Sequence, residues 1–250
     1  MYNIFHSILS DKKGGEIFTL FGAWHFFYIA LTVVTAVTML FSLRNKSKDA
    51  KIKAVRLLSS ISFAFYIADL FLMPLAYGEI DIEKLPFHAC TAMCIACFLS
   101  YRSKALENYR TSFAMLGVIS NLVYLIYPAG VMWHAVHPLS YRVIQTLLFH
   151  SIMTLSCFFA LIYESDKINI KKCHRDLAVT IGMTAWACLG NLIYNSDQRF
   201  YNWFFVVRDP FYAFPESHAP FIMPFLNIAL FFTVEILIHI ILSIGKGVKK

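Results

Sequence analysis

The sequence predicts an all-α integral membrane protein, a polytopic bundle of about seven transmembrane helices, and three observations predict it. Hydrophobic residues make up 58% of the 250 positions and charged residues only 15%, which leaves too little polar surface to cover a water-soluble core. The apolar residues form continuous runs, whereas a membrane barrel has alternating segments of about ten residues. Lys and Arg are concentrated in the gaps between these runs, which is typical of a membrane topology signal.

Seven apolar runs match, or nearly match, the length of about 20 residues that a helix needs to cross a bilayer. They lie near 19–43, 54–77, 86–101, 109–127, 139–163, 174–195 and 221–244. The third run is short and opens with Pro86, whose missing N–H costs nothing in the first turn of a helix. We expect such a short span to be accommodated by local thinning of the bilayer or by burial among the other helices.

Residues outside the spans divide into an N-terminal segment, one long loop and a basic tail. The partly apolar segment 1–18 is typical of a short interfacial helix, 19–245 form a single seven-helix domain, and 246–250 form a basic tail. The loop 196–220 is rich in aromatic residues and contains Pro210, Pro215 and Pro220. Because aromatic rings favour the membrane interface, this loop is predicted to fold back over the outer mouth of the bundle.

The basic residues predict the orientation of the chain. Most of the 22 Lys and Arg residues lie in the gaps 44–56, 102–110 and 164–175 and in the tail. Basic residues near span ends stay in the cytoplasm, so the N-terminus is placed outside and the C-terminus inside, in the cell (cytoplasmic) membrane. The net charge of +7 is explained by this signal. Membrane lipids are therefore the expected partners and nucleic acid is not; the sequence carries no signal for an oligomeric state.

Polar residues within the spans are the candidate functional residues, because such groups normally face the bundle interior or a water-filled cavity. Sorted by depth, most of them converge on the predicted outer half: His25, Asp69, His88, Asn121, Asn191, Asn195 and Asn227, with His134 and His137 in the outer loop after the fourth span. On the fifth span Arg142, Thr146 and His150 recur every four residues and share one helix face, with Gln145 beside them. These groups are predicted to line a polar pocket.

Three further features complete the set of candidate groups. Glu235 and His239, one turn apart in the last span, are expected to pair and stabilise the fold, with a proton path as the alternative. The stripe Cys90, Cys94 and Cys97 favours close helix packing over a thiol site. The spacing of the imidazoles and Asp69 matches no metal-ligand signature, so neither a metal nor another cofactor is predicted.

The segment Leu85-Pro86-Phe87-His88-Ala89-Cys90 resembles the Leu-Pro-x-His-x-Cys opening of a central helix in the YwaF-like bacterial membrane family, which is grouped with eukaryotic transmembrane protein 164. Further similarity lies in Gly117 to Pro128, in His150 and in Asn191 to Tyr194 with the aromatic loop that follows. The resemblance covers most of the chain and implies membrane-embedded acyl transfer or lipid hydrolysis through a Cys or His. In the eukaryotic relative the reactive Cys immediately precedes the His, whereas this chain has Phe87 there, so that nucleophile does not carry over.

These observations lead to one hypothesis and two alternatives. The leading hypothesis is a lipid acyl-transferring or hydrolysing enzyme in which His88 is the general acid or base and His150 and Asp69 are its partners. The substrate is then held by His25, Asn121, Arg142, Gln145, Thr146, Asn191, Asn195 and Asn227, with Asn121 and Asn191 on a carbonyl or head group. The first alternative is a non-enzymatic receptor or transporter for a small polar molecule. The second is an assembly protein whose polar interior serves helix association.

Overall fold

The computed structural model describes residues 16–78, 81–132, 135–196, 198–210 and 212–247, with only the backbone described for Ala129 and 244–247. Within these residues the chain is helical, and its strand-like pairing is a single bridge between Ser196 and Arg199. The predicted all-α fold is confirmed. Most of the predicted interfacial segment, His134 and the last three residues of the basic tail lie outside the described residues.

The α-helices of the described residues are joined by connections that are short except for the long loop before the last helix. In chain order they are α1 (Ala23–Leu43), α2 (Lys48–Tyr77), α3 (Ala89–Ser100), α4 (Lys104–Glu107), α5 (Arg110–Ile126), α6 (Ala129–Met132), α7 (Tyr141–Tyr163), α8 (Cys173–Tyr194) and α9 (Ala219–Gly247).

Among the described residues, six helical stretches are long and apolar enough to cross a membrane, and α3 is a shorter apolar helix. The 12 residues of α3 are about 18 Å long at 1.5 Å per residue, against a hydrocarbon core of about 30 Å. The third predicted span is therefore a short helix inside the bundle. The chain is multi-pass, and the side on which each terminus lies stays a prediction from the loop charges.

Local capping explains where α2 begins and ends. Ser47 accepts a hydrogen bond from the Ala50 N–H at 3.3 Å, which starts α2 six residues before its predicted apolar run. At the other end Gly78 adopts a left-handed conformation with φ 81°, and its N–H donates to the Pro74 carbonyl at 2.8 Å. The chain then turns through the short 3-10 helix Ile82–Lys84 into α3.

The central helix of the bundle is α7, which packs between α5 and α2. A Cβ added to Gly117 of α5 would lie 2.7 Å from Sγ of Cys157 on α7, so the two helices approach closely there. Farther along the pair, the Tyr124 ring stacks on the His150 ring with centroids 3.8 Å apart. These two contacts fix an antiparallel register that places Asn121 at the level between His150 and Thr154.

One end of the bundle, here the basic end, is formed by the connections α1–α2, α3–α5 and α7–α8. Its buried centre is Glu164, whose carboxylate binds Arg110 at 2.9 Å and Lys167 at 2.8 Å and accepts a hydrogen bond from Tyr101 at 3.1 Å. The connections α2–α3, α5–α7 and α8–α9 form the opposite end, here the loop end.

An exposed ion pair between Lys48 and Asp166 adds to the basic end at 2.9 Å. The hydrogen bond from Lys48 lowers the pKa of Asp166 below its ordinary value. Both side chains are more than half exposed, so the pair contributes little to stability.

The aromatic loop, defined here as residues 198–210 and 212–218, covers α3 at the loop end. Trp203 is fully buried, stacks on Tyr201 with centroids 4.7 Å apart and contacts the Phe87 ring at 5.0 Å. Gly190 makes room for this cluster, since a Cβ there would lie 2.4 Å from the Phe87 ring. The prediction that this loop folds back over the bundle is confirmed by these contacts.

Candidate functional site

His25 has both ring nitrogens engaged by backbone groups. Its Nδ1 accepts the Phe21 N–H at 3.0 Å, and its Nε2 lies 2.8 Å from the Leu125 carbonyl. Because a carbonyl only accepts hydrogen bonds, Nε2 carries the proton and the ring is neutral with both positions satisfied. His25 therefore joins the start of α1 to the end of α5, and it has no free ring nitrogen for a substrate.

Asp69 is buried and already has two partners. One carboxylate oxygen lies 3.1 Å from Nζ of Lys84, and the other accepts the Tyr141 hydroxyl at 2.8 Å. Lys84 is the last residue of the 3-10 helix before α3, and Tyr141 is the first residue of α7. The aspartate therefore connects α2, α7 and the segment that leads into His88.

The three asparagines of α8 and α9 bind the backbone of the aromatic loop. Asn191 donates to the Trp203 carbonyl at 3.1 Å and accepts the Trp203 N–H at 3.2 Å. Asn195 makes the same pair of bonds to Tyr201, at 3.1 and 2.6 Å. Asn227 donates to the Phe204 carbonyl at 2.6 Å. Each side-chain amide substitutes for the backbone partner that this irregular segment lacks.

His88 lies beneath the aromatic loop at the opening of α3. Its Nδ1 accepts the Phe204 N–H in a long bond of 3.4 Å, so a neutral His88 carries its proton on Nε2. Asn227 is eight residues into α9, or about 12 Å from the start of that helix. The loop thus descends into the bundle and fills the space above the short α3. Non-helical backbone at this depth is tolerated when protein groups satisfy it.

The loop backbone is strained directly above His88. Phe204 and Phe205 both have left-handed conformations, with φ values of 54° and 53°. For a residue with a Cβ this conformation costs roughly 1–2 kcal/mol. Buried polar contacts on both sides of the turn hold it in place.

The predicted polar face of α7 is mostly buried, and its members have different surroundings. Gln145, Thr146 and His150 are buried, and the Thr146 hydroxyl donates to Oε1 of Gln145 at 3.2 Å. Arg142 is half-buried, with its guanidinium 4.5 Å from the Tyr77 ring centroid. His88 opens α3, and α3 packs against α7, the helix that carries His150. The two predicted catalytic histidines therefore lie on neighbouring elements of the bundle.

His150 keeps one ring nitrogen with a free lone pair. Its Nδ1 lies 2.7 Å from the Thr146 carbonyl and must donate, because the carbonyl only accepts. Nε2 of the neutral ring is then a hydrogen-bond acceptor, and it is buried with no partner within the described part of the chain. A buried polar atom without a partner is costly and needs an explanation.

Two other unpartnered atoms lie at the same level between α5 and α7. The amide of Asn121 donates from Nδ2 to the Gly117 carbonyl at 2.8 Å, which leaves its Oδ1 buried and, among the described residues, without a partner. The Thr154 hydroxyl is also buried and has no partner among the described residues. We call Asn121, His150 and Thr154 the polar cluster. Two of its free atoms are pure acceptors, a pattern that suits a ligand carrying O–H or N–H groups.

An apolar cleft of about 260 Å³ begins one turn below His88 on α3. It lies between α3, α5 and α8, and a Cβ added to Gly182 would meet no atom within 4 Å. Trp186 at its edge donates to the Pro86 carbonyl at 2.7 Å, which ties this wall to the opening of α3. The cleft is lined by Ala92, Met93, Phe113, Val179, Gly182, Met183 and Trp186.

Comparison with known proteins places this arrangement in a family. A sequence model described as the TMEM164 family matches residues 20–244. The chain belongs to the TMEM164 family. The match extends from just before α1 into α9, so it includes every residue of the region around His88 and His150. No curated protein and no solved structure gave a match.

Sequence reasoning missed several polar residues of this TMEM164-family chain. Thr154 lies four residues after His150, just as Thr146 lies four residues before it. This spacing could have identified Thr154 from the sequence. Tyr124 and Lys84 carried no such signal, because their importance comes from contacts between distant segments. Within the described residues, no group of three or more His, Cys, Asp or Glu could hold a metal ion.

The expected pair between Glu235 and His239 is wrong, because each of them binds α8. Nε2 of His239 lies 2.6 Å from Oδ2 of Asp176, and the Thr180 hydroxyl donates to Glu235 at 3.1 Å. Helical spacing within α9 showed that the two face the same way, and it could not show that α8 supplies a partner for each. This group lies at the basic end, apart from the polar cluster.

Proposed function

We propose that this TMEM164-family protein transfers or hydrolyses the acyl chains of membrane lipids, with His150 as general base and His88 as hydrogen-bond donor. One observation carries the proposal, namely the buried Nε2 lone pair of His150 with no partner in the described residues. A positioned imidazole lone pair in a water-poor site is the usual general base for activating a hydroxyl. This division of roles differs from the sequence hypothesis, in which His88 was the acid or base and Asp69 a partner.

The proposed reaction needs no protein nucleophile. Nε2 of His150 removes a proton from a water or from the free hydroxyl of an acceptor lipid, and that oxygen attacks the ester carbonyl carbon of the donor lipid. When the tetrahedral adduct collapses, the bond to the departing glycerol oxygen breaks and the proton on Nε2 passes to that oxygen. Water as the attacking group gives a free fatty acid, and a lipid hydroxyl gives acyl transfer.

The polar cluster supports the positioning of the attacking oxygen. Among the described residues, Oδ1 of Asn121 is a second free acceptor at the level of His150, and the Thr154 hydroxyl can donate to the bound oxygen. A lipid hydroxyl directs its one proton at the imidazole, and a water directs its second proton at the amide oxygen. The N–H at Nε2 of neutral His88 is suited to stabilise the negative charge that develops on the ester oxygen.

The apolar cleft supports a lipid substrate over a small polar one. It starts one turn below His88 and has the apolar lining that an acyl chain requires. We infer that the acyl chain of the donor lipid lies in this cleft, with its ester group near His88. Gly182→Leu, which fills this space, is expected to shift the preferred acyl chains toward shorter ones.

The test is turnover by the purified protein in phosphatidylcholine liposomes that contain an acyl-labelled phospholipid. Free fatty acid and transfer to added lysophospholipid are both measured by mass spectrometry. His150→Gln is expected to lower the rate by about 10²–10⁴-fold, the usual contribution of a general base. The matched control is His174→Gln, which changes an exposed histidine at the basic end and should leave the rate unchanged.

Absence of turnover in the wild type, or full turnover in His150→Gln, would reject the enzyme. A lipid or small polar molecule that copurifies without reacting would instead favour the receptor or transporter. In that case its occupancy should fall in His150→Gln and stay the same in His174→Gln.

A further inference from the structure

A second polar site lies at the basic end, on the opposite side of the bundle from the polar cluster. A pocket between α5, α8, α9 and the α7–α8 connection opens to solvent and has a cavity volume of about 10 Å³, which is room for about one water-sized group at its bottom. Its bottom is formed by side chains of α8 and α9, and its rim is cationic. The lining residues that bear on its chemistry are Ser112, Lys167, Lys172, Arg175, Asp176 and His239.

His239 forms the bottom of this pocket together with Asp176. Its Nε2 lies 2.6 Å from Oδ2 of Asp176, and both side chains are less than 5% exposed. The carboxylate accepts, so Nε2 carries a proton, and Nδ1 is buried without a partner in the described segments. Nδ1 is then a free acceptor, which suits an O–H group in the pocket.

The rim of the pocket adds three cationic side chains. Lys172 is exposed at the end of the short helix that precedes α8. Arg175 is held in place by its bond to the Asn108 carbonyl at 3.0 Å, and Lys167 binds Glu164 at 2.8 Å. The carboxylates of Asp176 and Glu164 are thus each engaged by a basic group.

Backbone groups add to this positive character. Helix α8 begins at Cys173, whose N–H donates to the Ile170 carbonyl, and Arg175 and Asp176 of its first turn line the pocket. The N-terminus of a helix favours negative charge, because its first N–H groups have no partner within the helix. A buried ring nitrogen, lysine and arginine side chains and a helix N-terminus together favour one ligand chemistry.

We propose that this pocket binds a phosphate group that carries an O–H, either the phosphomonoester head group of an anionic membrane lipid or a free phosphate. Phosphate oxygens contact Lys172 and Arg175 at the rim, and one P–OH group donates a hydrogen bond to Nδ1 of His239. The buried hydroxyl of Ser112 adds a neutral donor. This site is independent of the proposed acyl chemistry at the other end of the bundle.

The experiment uses the full chain in nanodiscs. Inorganic phosphate is titrated into phosphatidylcholine nanodiscs by calorimetry, and retention of phosphatidic acid from mixed-lipid nanodiscs is measured by native mass spectrometry. Lys172→Gln and Arg175→Gln are each expected to weaken binding by about tenfold or more, because each removes a charge-assisted hydrogen bond. The matched control is Lys46→Gln, an exposed lysine of the α1–α2 turn outside the pocket.

Each outcome decides the proposal. Binding of phosphatidic acid alone identifies a lipid head group, binding of inorganic phosphate alone identifies a soluble ligand, and binding of both supports the shared chemistry. Absence of both overturns the proposal, as does an equal loss of binding in Lys46→Gln, which would indicate attraction to basic charge in general. His239→Gln is a further test, and since it changes a buried residue it is interpreted only when its melting temperature matches the wild type.

Discussion

At the residue scale, two buried histidines of this bundle differ in how many of their ring nitrogens have a hydrogen-bond partner. His25 has a backbone partner at each ring nitrogen, whereas His150 has a partner at Nδ1 only within the described residues. The first arrangement fixes two helices together. The second keeps a lone pair available at the centre of the bundle, at the cost of a buried acceptor without a partner.

His25→Ala is expected to destabilise the fold. The Leu125 carbonyl and the Phe21 N–H both lose their partner, and leaving such groups unpaired lowers the free energy of unfolding by about 2 kcal/mol or more. Thermal unfolding in detergent measures the effect, with His174→Ala at an exposed position as the matched control. Equal melting temperatures for the two variants would contradict a structural role for His25.

The sequence could identify these histidines as polar residues within apolar runs, and it could not tell them apart. Their different states depend on carbonyl groups, one at Leu125, which is 100 residues from His25, and one at Thr146 within the same helix. Every residue has such a carbonyl, so no side-chain pattern marks it. For the same reason the three asparagines of α8 and α9 were expected to hold a ligand, and they bind the backbone of the aromatic loop.

At the element scale, the aromatic loop depends on the short α3. The helix leaves a space above His88, and the loop fills it with the buried Trp203 and with backbone that Asn191 and Asn227 hydrogen-bond. The prolines and aromatic residues predicted that this segment folds back on the bundle. The depth of the loop in the bundle was not predictable, because it follows from the length of α3 and from side-chain amides on α8 and α9.

Asn191→Ala is expected to release the loop while the helices stay intact. The variant loses the amide's bonds to both the N–H and the carbonyl of Trp203, so amide hydrogen exchange in 200–206 should accelerate by about tenfold or more. Hydrogen exchange with mass spectrometry measures it peptide by peptide. Asn108→Ala, at an exposed position of the basic end, serves as control. Unchanged exchange in Asn191→Ala would show that the loop is held by its aromatic packing alone.

The helix connections at the basic end offer a matched pair of acidic residues. Glu164→Gln leaves Arg110 buried beside a neutral group and is expected to cost about 3 kcal/mol. Asp166→Asn removes an exposed pair and is expected to cost less than about 1 kcal/mol. Chemical unfolding of both variants in detergent measures the difference. Similar losses in the two would mean that burial of Glu164 does not strengthen its ion pairs.

The pH dependence of the exposed pair follows from the lowered pKa of Asp166. A carboxylate whose pKa is lowered by folding contributes stability above its ordinary pKa of 3.8, and that contribution disappears as the pH falls through the lowered value. The small difference between wild type and Asp166→Asn is therefore expected at neutral pH and should vanish in strong acid.

At the scale of the whole molecule, the bundle has two chemically different ends. The basic end contains the Glu164 ion pairs and the proposed phosphate site, and the loop end contains His88 and the aromatic rings. Continuous apolar runs and loop charge were enough to predict this polarity and the all-helical fold. The number of full crossings was less certain in the sequence, because a run of residues near 86–101 reads as a span whether or not its helix is long enough.

Topology is testable by cysteine labelling in intact cells. In a Cys173→Ser background, Ser217→Cys should react with a membrane-impermeant maleimide, whereas Lys46→Cys should react only after permeabilisation. Both positions are exposed, so accessibility of the thiol reports the side of the membrane. The opposite labelling pattern would invert the predicted orientation and would place the polar cluster toward the cytoplasm.

The successive left-handed residues Phe204 and Phe205 place conformational strain in the folded aromatic loop. This strain is relieved when the two residues leave the left-handed conformation. Moving the aromatic loop away from His88 therefore costs less free energy than breaking its hydrogen bonds alone would require. If the protein acts on lipids as proposed, we expect this strain to ease the passage of a bulky molecule between the bilayer and the space around His88.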